Sequence, residues 1–590
     1  MRAPLCQGIV ILLAFAASVA LAAERAPGVM RIGMPQIADT LDPVRTDILD
    51  PALPGIYDTL YALDPLARPA AIVPLAADAL PEISSDYRTF TVRVKAGIFF
   101  TPHASFGGTP RELTAADFAY AIRRVFDPGI RSPWIPMLEG KIEGLDALGK
   151  EARDQGRRLD YDAPIAGLEV LDRYTLRFRL TAPDPVFGYL LAHPLLSAVP
   201  REVIEAEGEG YGHRPVGTGA FVVAAFTPGH RLILSRNPGY RRMRFDDLLS
   251  ESSRAANRAH PMLGRSLPGV ERLEFTTLPE ASAEVLAMRA GELDMVQLTV
   301  PELVTANGRL REEFVRERLA IVRAPTAGLL AAFFNLRDRT VGGNAEARIA
   351  LRRAIWMGID DDEWVRLLDG GISSVRRQFV PPGVEGYVAD YRSPIRFDPQ
   401  AANALLDRYG YRRARDGMRR NPDGSELVLH VLSNTSTVSR KRSEFVKRML
   451  DRIGIRAAIE YVTAGEQLKR LASCRFGMTW MEWTLDVPDG INPMIMFYSK
   501  SIGSVDFSCY ADPEFDAAYR KALTMPPGPV RTELFRAMQS RLDAFGPARP
   551  LPYGDVLMLK RTTVDGPFGT FKDPFLVTTM SFAAGAATSR

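Results

Sequence analysis

The stretch 427–483 alternates between strand-like and helix-like patterns, and this alternation constrains the fold more than any other feature of the chain. A strand–helix–strand unit brings its two strands together in parallel through a right-handed crossover. The sequence therefore predicts an α/β fold with parallel strands in this region. The predicted strands are 427–432, 455–462 and 476–483, and the predicted helices between them are 439–453 and 465–472.

A second informative stretch begins Pro215-Val-Gly-Thr-Gly-Ala-Phe-Val-Val. Residues 220–226 are almost wholly apolar, which predicts a strand covered on both faces. A turn cluster, Thr227-Pro-Gly-His, separates it from a partner strand at 231–235.

The two glycines of this stretch, Gly217 and Gly219, permit either a positive φ or a close backbone approach. They do not indicate a nucleotide site, because no strand precedes them and the Gly-x-Gly is not completed to G-x-G-x-x-G.

Length and charge bound the class of protein. The chain has 590 residues, of which 46% are hydrophobic, so it can bury a large core. Its length suggests about two to four domains. Its 74 basic and 70 acidic residues leave a net charge of only +4. The chain therefore lacks the large excess of positive charge that binding to a polyanion requires, which argues against nucleic acid as a partner.

The N-terminal segment 1–22 has the features of a secretory signal peptide. Arg2 supplies the positive start, and the apolar run 8–22 is shorter than the ~20 residues that span a bilayer. The small-x-small pattern predicts cleavage between Ala22 and Ala23. Cys6 precedes the apolar run, whereas a lipid-anchoring cysteine would follow it. We therefore expect a soluble periplasmic protein without a lipid anchor.

Two cysteines, Cys474 and Cys509, remain after this cleavage. In an oxidising compartment they are plausible disulfide partners. The alternative is a pair of buried, unbonded thiols.

Motifs of enzymes are missing from the sequence. It contains no G-x-S-x-G elbow, no H-E-x-x-H helix and no G-x-x-x-x-G-K-[ST] loop. The six histidines are scattered, and no two stand at metal-ligand spacing. The sequence therefore predicts a protein that is not an enzyme and has no metal or cofactor, although a pair of carboxylates could still meet in space.

Three further stretches are described by composition or pattern. Residues 141–163 are rich in charge and glycine and suggest an exposed loop or a frayed helix. Residues 241–268 are irregular, with clustered Arg, Asn, Pro and Gly. Residues 571–580 are predicted to form the last strand of the chain.

Short motifs along nearly the whole chain, in order, together resemble the family 5 extracellular solute-binding proteins. This family contains the oligopeptide- and dipeptide-binding subunits of ABC importers. Relative to the family, 241–268 reads as an insertion. The motifs are Asp39-Thr-Leu-Asp-Pro, Tyr57-Asp-Thr-Leu, the Pro215 stretch with Asn237-Pro-Gly-Tyr, Gly291-Glu-Leu-Asp and Pro381-Pro-Gly-Val-Glu-Gly-Tyr.

The resemblance implies a periplasmic binding protein-like fold of cluster C type. Such a fold has three lobes with mixed sheets and a hinge between lobes I and III. Lobe I would combine 24–55, 215–325 and 550–590, lobe II would span 56–214, and lobe III would span 326–549. The ligand would bind between lobes I and III, and hinge closure would bury it.

The stretch Met478-Thr-Trp-Met-Glu-Trp-Thr-Leu-Asp-Val-Pro-Asp-Gly resembles the family's W-x-x-D-Y-P-D-P lid segment. Trp480 and Trp483 compete for the position of the family tryptophan, and the following Val-Pro-Asp-Gly favours Trp483. Asp486 then takes the position that pairs with the α-ammonium group of a peptide ligand, and Glu482 is the reserve carboxylate. As alternatives, Asp486 caps a turn and the tryptophans belong to the core.

By the same resemblance, the protein would be monomeric, capture a short peptide and deliver it to an inner-membrane ABC permease. Backbone-like hydrogen bonds and roomy side-chain pockets suit such a ligand. Other ligands in the family are nickel complexes, haem precursors and opines. The rival classes are a secreted hydrolase and a periplasmic chaperone.

Overall fold

The computed structural model describes residues 28–46, 51–278, 280–298, 303–304, 309–324, 327–569 and 576–583. The predicted signal segment and the junction between Ala22 and Ala23 lie outside these ranges. No helix within them is long and apolar enough to cross a membrane. The predicted last strand falls partly outside them, and its described part forms a 3-10 helix, Val577–Thr579, instead of a strand.

The largest sheet is mixed and draws its strands from three separated parts of the chain. Its central strand, Val29–Met34, runs parallel to both neighbours, whereas the other pairs are antiparallel. In spatial order its strands are Leu319–Ala324, Val556–Arg561, Met295–Leu298, Val29–Met34, Arg272–Thr277, Arg231–Arg236 and Phe221–Thr227.

The expectation that 220–226 is covered on both faces is wrong. The strand Phe221–Thr227 lies at the edge of this sheet, and its register shifts between Val223 and Ala225. Ala224 and Ala225 are exposed. Small apolar side chains suit such an irregular edge, so an apolar run did not imply burial here.

The five-stranded sheet confirms the predicted alternation. Val428–Asn434 runs parallel to both Arg456–Val462 and Met478–Thr484, and the crossovers are the helices Thr437–Arg452 and Ala464–Ala472. Beyond Met478–Thr484, the sheet continues with the antiparallel strands Gly328–Phe334 and Ala548–Leu551.

Gly328–Phe334 is buried along its whole length because helices and loops cover both faces of this sheet. Its alternate residues belong to two separate hydrophobic cores, one on each face. Next to one core, the structure joins Cys474 to Cys509 in a disulfide, with Cα atoms 6.2 Å apart.

A four-stranded antiparallel sheet forms the third large unit. Thr175–Arg179 alternates as the pattern predicts, with Leu176 and Phe178 buried. The helix Ala115–Arg124 contacts this sheet, and Thr114 and Asp117 form a capping box at its start. The strands, in order, are Glu82–Ile83, Thr89–Arg93, Thr175–Arg179 and Leu168–Val170.

The charged segment 141–163 contains a regular helix, Leu145–Asp154, rather than a loop or a frayed helix. The irregular segment 241–268 contains short elements: a two-stranded pairing of Met243–Arg244 with Ser266–Leu267 and the helix Glu251–Ala256. The other two-stranded pairings are Tyr61–Leu63 with Ile72–Pro74, Ser373–Ser374 with Tyr553–Gly554, and Val564–Asp565 with Ser581–Phe582.

Three of the remaining helices begin with an aspartate cap. Asp360 accepts hydrogen bonds from two backbone N–H groups of the following helix, and Asp398 and Asp512 cap helices that start with proline. The remaining α-helices, these three included, are Leu53–Ile56, Ile135–Leu138, Phe187–Leu190, Arg201–Glu207, Ala281–Ala290, Glu312–Arg316, Glu346–Met357, Asp361–Leu368, Pro399–Arg408, Ile491–Met494, Pro513–Leu523 and Pro529–Phe545.

Candidate functional site

A cavity of about 100 Å³ lies where segments that follow strands of all three large sheets meet. Asp486 comes after Met478–Thr484, Tyr240 after Arg231–Arg236, and Tyr189 after Thr175–Arg179. The apolar part of the wall consists of Pro54, Ala62, Leu63, Leu75, Ala192, Pro194, Met243, Leu248, Leu267, Pro488 and Leu576. The cavity therefore offers a mainly apolar surface with a few polar groups, as small-molecule sites do.

One acidic group of the wall, Asp58, is held in an ion pair. It accepts hydrogen bonds from Arg241 Nη1 at 2.7 Å and Nη2 at 3.0 Å, and from Thr218 Oγ1 at 2.8 Å. Asp58 is buried, so the bidentate pair compensates its charge in the interior. Asp58 therefore stabilises the wall of the cavity and is not the main group that attracts a ligand.

The Pro215 stretch supports this wall through close backbone approach. A Cβ atom on Gly217 would lie 2.1 Å from the carbonyl oxygen of Ile56, and one on Gly219 would lie 2.4 Å from that of Gly55. Neither glycine has a positive φ. Close approach, and not left-handed backbone, therefore requires glycine at both positions.

Asp486 is the second carboxylate of the wall, and the segment around it is held at several points. The Leu485 N–H donates to the carbonyl of Ala327 at 2.9 Å. Further on, the Glu385 N–H donates to Pro488, and the Gly490 N–H donates back to Glu385 at 2.8 Å. These contacts fix where the Asp486 side chain enters the cavity.

A buried ion pair fastens the end of the same segment. Asp489 accepts hydrogen bonds from Arg531 Nη1 at 2.6 Å and Nη2 at 2.8 Å, and both side chains are fully buried. Asp489 also accepts from the backbone N–H of Ile491 at 2.9 Å. The two carboxylates of the lid motif thus occupy different environments, since Asp486 borders the cavity and Asp489 is part of the interior.

The other predicted site residues are not among those that line the cavity. Trp480 is buried in the hydrophobic core that also contains Trp356. Glu482 accepts a hydrogen bond from Arg442 at 2.8 Å. Trp483 is half-buried, and its Nε1 donates to Asn492 Oδ1 at 2.9 Å. Of the four predicted residues, the structure brings Asp486 to the cavity.

Several polar residues of the wall were not singled out by the sequence analysis. Tyr57 and Tyr240 stand in motifs that were quoted for the resemblance only, so their motif membership was the available signal. Burial raises the pKa of Tyr57, Tyr240 and Tyr189, the last to about 12. These phenols are neutral near pH 7. Their hydroxyls donate to the carbonyl of Leu41, the Sδ of Met243 and the carbonyl of Ala70, respectively, so each can only accept a further hydrogen bond.

His193 also borders the cavity, although its sequence context gave no signal. Its Nδ1 accepts a hydrogen bond from the backbone N–H of Leu195 at 3.2 Å, which places the proton of the neutral ring on Nε2. Its ring contacts Trp134 edge-on, with centroids 5.6 Å apart. His193 is therefore fixed in orientation.

The charges in the wall favour a cation. The lining residues include no Lys or Arg. The charge of Asp58 is compensated by Arg241, and Asp486 is the other carboxylate of the wall. In the described part of the chain, no group of three His, Cys, Asp or Glu side chains comes close enough to hold a metal ion. The arrangement can therefore bind an ammonium group beside an apolar moiety by hydrogen bonding and ion pairing.

This fold and this cavity define a multi-sheet α/β protein with a concave site where its three large sheets meet. The sequence profile of the bacterial extracellular solute-binding proteins, family 5 Middle, matches residues 71–504, and the chain belongs to this family. The resemblance on which the sequence analysis rests is thereby confirmed.

Individual relatives are distant in sequence but match over nearly their whole length. The chain is 23% identical over 572 residues to di/tripeptide-binding protein 2 of Pseudomonas aeruginosa, covering 94% of this chain and 95% of the relative. Its fold resembles that of the periplasmic binding protein DppA from Helicobacter pylori in complex with the peptide STSA, with a TM-score of 0.67, 20% identity and coverage of 95% and 98%.

A second solved structure has a fold of comparable similarity. NikZ from Campylobacter jejuni in complex with Ni(L-His) gives a TM-score of 0.67 at 16% identity, covering 94% of this chain and 100% of that one. One fold therefore serves ligands of different chemistry, and the site residues must decide between them.

Proposed function

We propose that this protein captures a short peptide in the periplasm and delivers it to an ABC-type import permease. It would act as a monomer, after removal of residues 1–22, and it would catalyse no covalent step. The observation that carries the proposal is the position of Asp486 in the wall of a mainly apolar cavity without cationic residues.

The chemistry of the wall supports a ligand with a free α-ammonium group. An ammonium donates up to three hydrogen bonds, and a carboxylate accepts them at about 1.5–3 kcal/mol each in a desolvated site. The leucine and methionine side chains of the wall suit an apolar first side chain. The peptide-binding relative of P. aeruginosa is in keeping with this ligand class.

The proposed lobes follow the large sheets. Lobe I comprises 24–55, 215–325 and 550–590, which include every strand of the seven-stranded sheet. Lobe II, 56–214, includes the four-stranded sheet. Lobe III, 326–549, includes four strands of the five-stranded sheet, and the fifth, Ala548–Leu551, crosses its boundary. Closure about the hinge between lobes I and III would enclose the ligand.

A non-peptide solute is the second candidate for the ligand. The observation that favours it is the fold shared with a protein that binds Ni(L-His). Histidine in such a complex also carries an amino group, but its coordination to nickel removes the ammonium charge. An ammonium ligand therefore requires the negative charge of Asp486, whereas a metal complex without an ammonium charge does not.

Native mass spectrometry of the protein purified from its host tests the proposal. We expect a monomer that carries a set of short peptides, which denaturation releases with unchanged masses. A single non-peptide mass would overturn peptide capture. Shortened peptides after incubation would overturn the absence of catalysis. Added peptides should also raise the thermal midpoint, since ligand at 100 times its Kd stabilises the folded state by about 2.7 kcal/mol.

A further inference from the structure

A second concave site lies in lobe III, away from the cavity already described. It is a groove of about 410 Å³ formed by residues of the segment 375–396. The groove and the cavity share no lining residue. We call it the arginine groove, because four guanidinium groups line it: those of Arg376, Arg377, Arg392 and Arg396.

The positive charge of the arginine groove is only partly compensated. Its lining residues include no carboxylate. Arg377 donates to Asp361 at 2.6 Å, but Asp361 is shared with Arg549. Arg376 forms a loose ion pair with Asp555 at 3.9 Å, a distance too long for a hydrogen bond. The local charge therefore favours an anion.

Arg376 has unused hydrogen-bonding capacity at this site. Its side chain is only 11% exposed, and its Nε is buried with no hydrogen-bond partner among the described residues. A buried donor without a partner is costly, and because this Nε is enclosed, Arg376 acts on an anion in the groove through its positive charge. The same residue and Arg377 also border a smaller cavity lined by Asp543 and by Arg549, which is paired with Asp361.

Hydrogen bonds from buried or partly buried side chains hold the backbone that carries these arginines in place. Gln378 is buried, and its amide group both donates to and accepts from the backbone of Val388, at 3.0 and 3.1 Å. Tyr391 donates to Asp543 at 2.6 Å. The loop therefore presents its guanidinium groups from a fixed scaffold, which reduces the entropic cost of binding.

We propose that the arginine groove is a second ligand site, which binds a small oxyanion with two or more negative charges. Planar guanidinium groups match the paired oxygens of phosphate and carboxylate, and several of them converge here. The volume suits a small molecule rather than a polymer. The occupant is separate from the solute bound between the lobes.

Calorimetry at constant ionic strength in a phosphate-free buffer tests this proposal, with pyrophosphate and citrate as probes and chloride as the background anion. We expect saturable binding of at least one probe, and the two probes distinguish phosphate from carboxylate chemistry. Constant ionic strength is essential because salt screens exposed charges. Failure of both probes to saturate would overturn the proposal.

Variants assign the binding to the groove. Arg396→Gln changes an exposed side chain, so it should fold normally and weaken probe binding about tenfold or more. Arg376→Gln should also weaken probe binding about tenfold or more. Arg415→Gln, at an exposed arginine that does not line the groove, is the matched control and should leave affinity unchanged. Equal effects of Arg396→Gln and Arg415→Gln would also overturn the proposal.

Discussion

Asp489 and Arg531 form a bidentate, fully buried ion pair that ties the lid motif to the helix Pro529–Phe545. The pair begins three residues after Asp486, so it fixes the segment that carries the predicted ligand-binding carboxylate. Its role is positional, and it stabilises the folded state as long as both partners are present.

Removing one partner should be strongly destabilising. Arg531→Met leaves Asp489 as an unpaired buried charge, and we expect a loss of about 3–5 kcal/mol in the free energy of unfolding, measured in urea. Adding Asp489→Asn should recover part of this loss. The matched control is Lys150→Met, which breaks an exposed pair with Asp154 and should cost at most about 1 kcal/mol. Equal effects at both sites would contradict the argument.

Asp506 should make stability fall as pH rises. Burial raises its pKa from 3.8 to about 7, while hydrogen bonds from Ser508 oppose the shift. The folded state therefore holds a proton that the unfolded state has lost between pH 4 and 7, so stability decreases across this window and levels off above it. The whole shift corresponds to about 4 kcal/mol as an upper bound.

Asp506→Asn removes this titration and keeps the oxygen that accepts from Ser508. We expect the free energy of unfolding of the variant, relative to the wild type, to increase between pH 5 and pH 8. Urea unfolding at both pH values measures the difference. Parallel pH profiles for the two proteins would show that Asp506 does not carry a raised pKa.

Gly217→Ala should damage the wall of the cavity. The new Cβ would meet the backbone oxygen of Ile56, which cannot move away as a flexible side chain could. We expect a loss of about 1–3 kcal/mol in unfolding free energy, together with weaker ligand binding. Gly465→Ala is the control, because nothing lies within 4 Å of its added Cβ in a helix. A neutral Gly217→Ala would refute the close-approach explanation.

The regular parts of the fold could be predicted because their signals are local. The alternation across 427–483 shows which residues form strands and which form helices. Capping residues such as Asp360 and Asp398 determine where their own helices begin. The edge position of Phe221–Thr227 could not be predicted in the same way. Strand order depends on distant partners, and an apolar edge strand looks like a buried one in sequence.

The site was predicted less completely for the same reason. The motif register led to Asp486, but the pairing of Asp58 with Arg241 joins residues 183 positions apart without a local signal. The two tryptophans illustrate a missed inference. Trp480 and Trp483 are three residues apart in a strand, so they point to opposite faces and could not both line one cleft.

The disulfide should contribute measurably to stability. Cys474 and Cys509 are 35 residues apart, and closing such a loop stabilises by about 3–4 kcal/mol in the chain-entropy model. We expect reductant, or the double change Cys474→Ser and Cys509→Ser, to lower the thermal midpoint. Peptide mapping without reduction should find the two cysteines linked. Recovery of both as alkylated free thiols would exclude the bond in the protein purified from its host.

Asp486→Asn should weaken the binding of ligands with a free α-ammonium group and leave the fold intact. The substitution preserves size and removes the charge, so the ammonium loses its ion-paired acceptor at a cost of about 1.5–3 kcal/mol, or roughly ten- to a hundred-fold in affinity. An N-acetylated peptide carries no charge at that end and should bind wild type and variant about equally. Calorimetry on the four combinations forms a double-mutant cycle.

Glu482→Gln is the matched control in this cycle, since Glu482 belongs to the same motif, in the strand that precedes Asp486, but pairs with Arg442 outside the lining of the cavity. Its coupling to the ligand's ammonium should be close to zero. If Glu482→Gln shows the coupling and Asp486→Asn does not, the reserve carboxylate is the ammonium partner. If neither does, while both variants remain folded, the cavity does not recognise a peptide by its amino terminus.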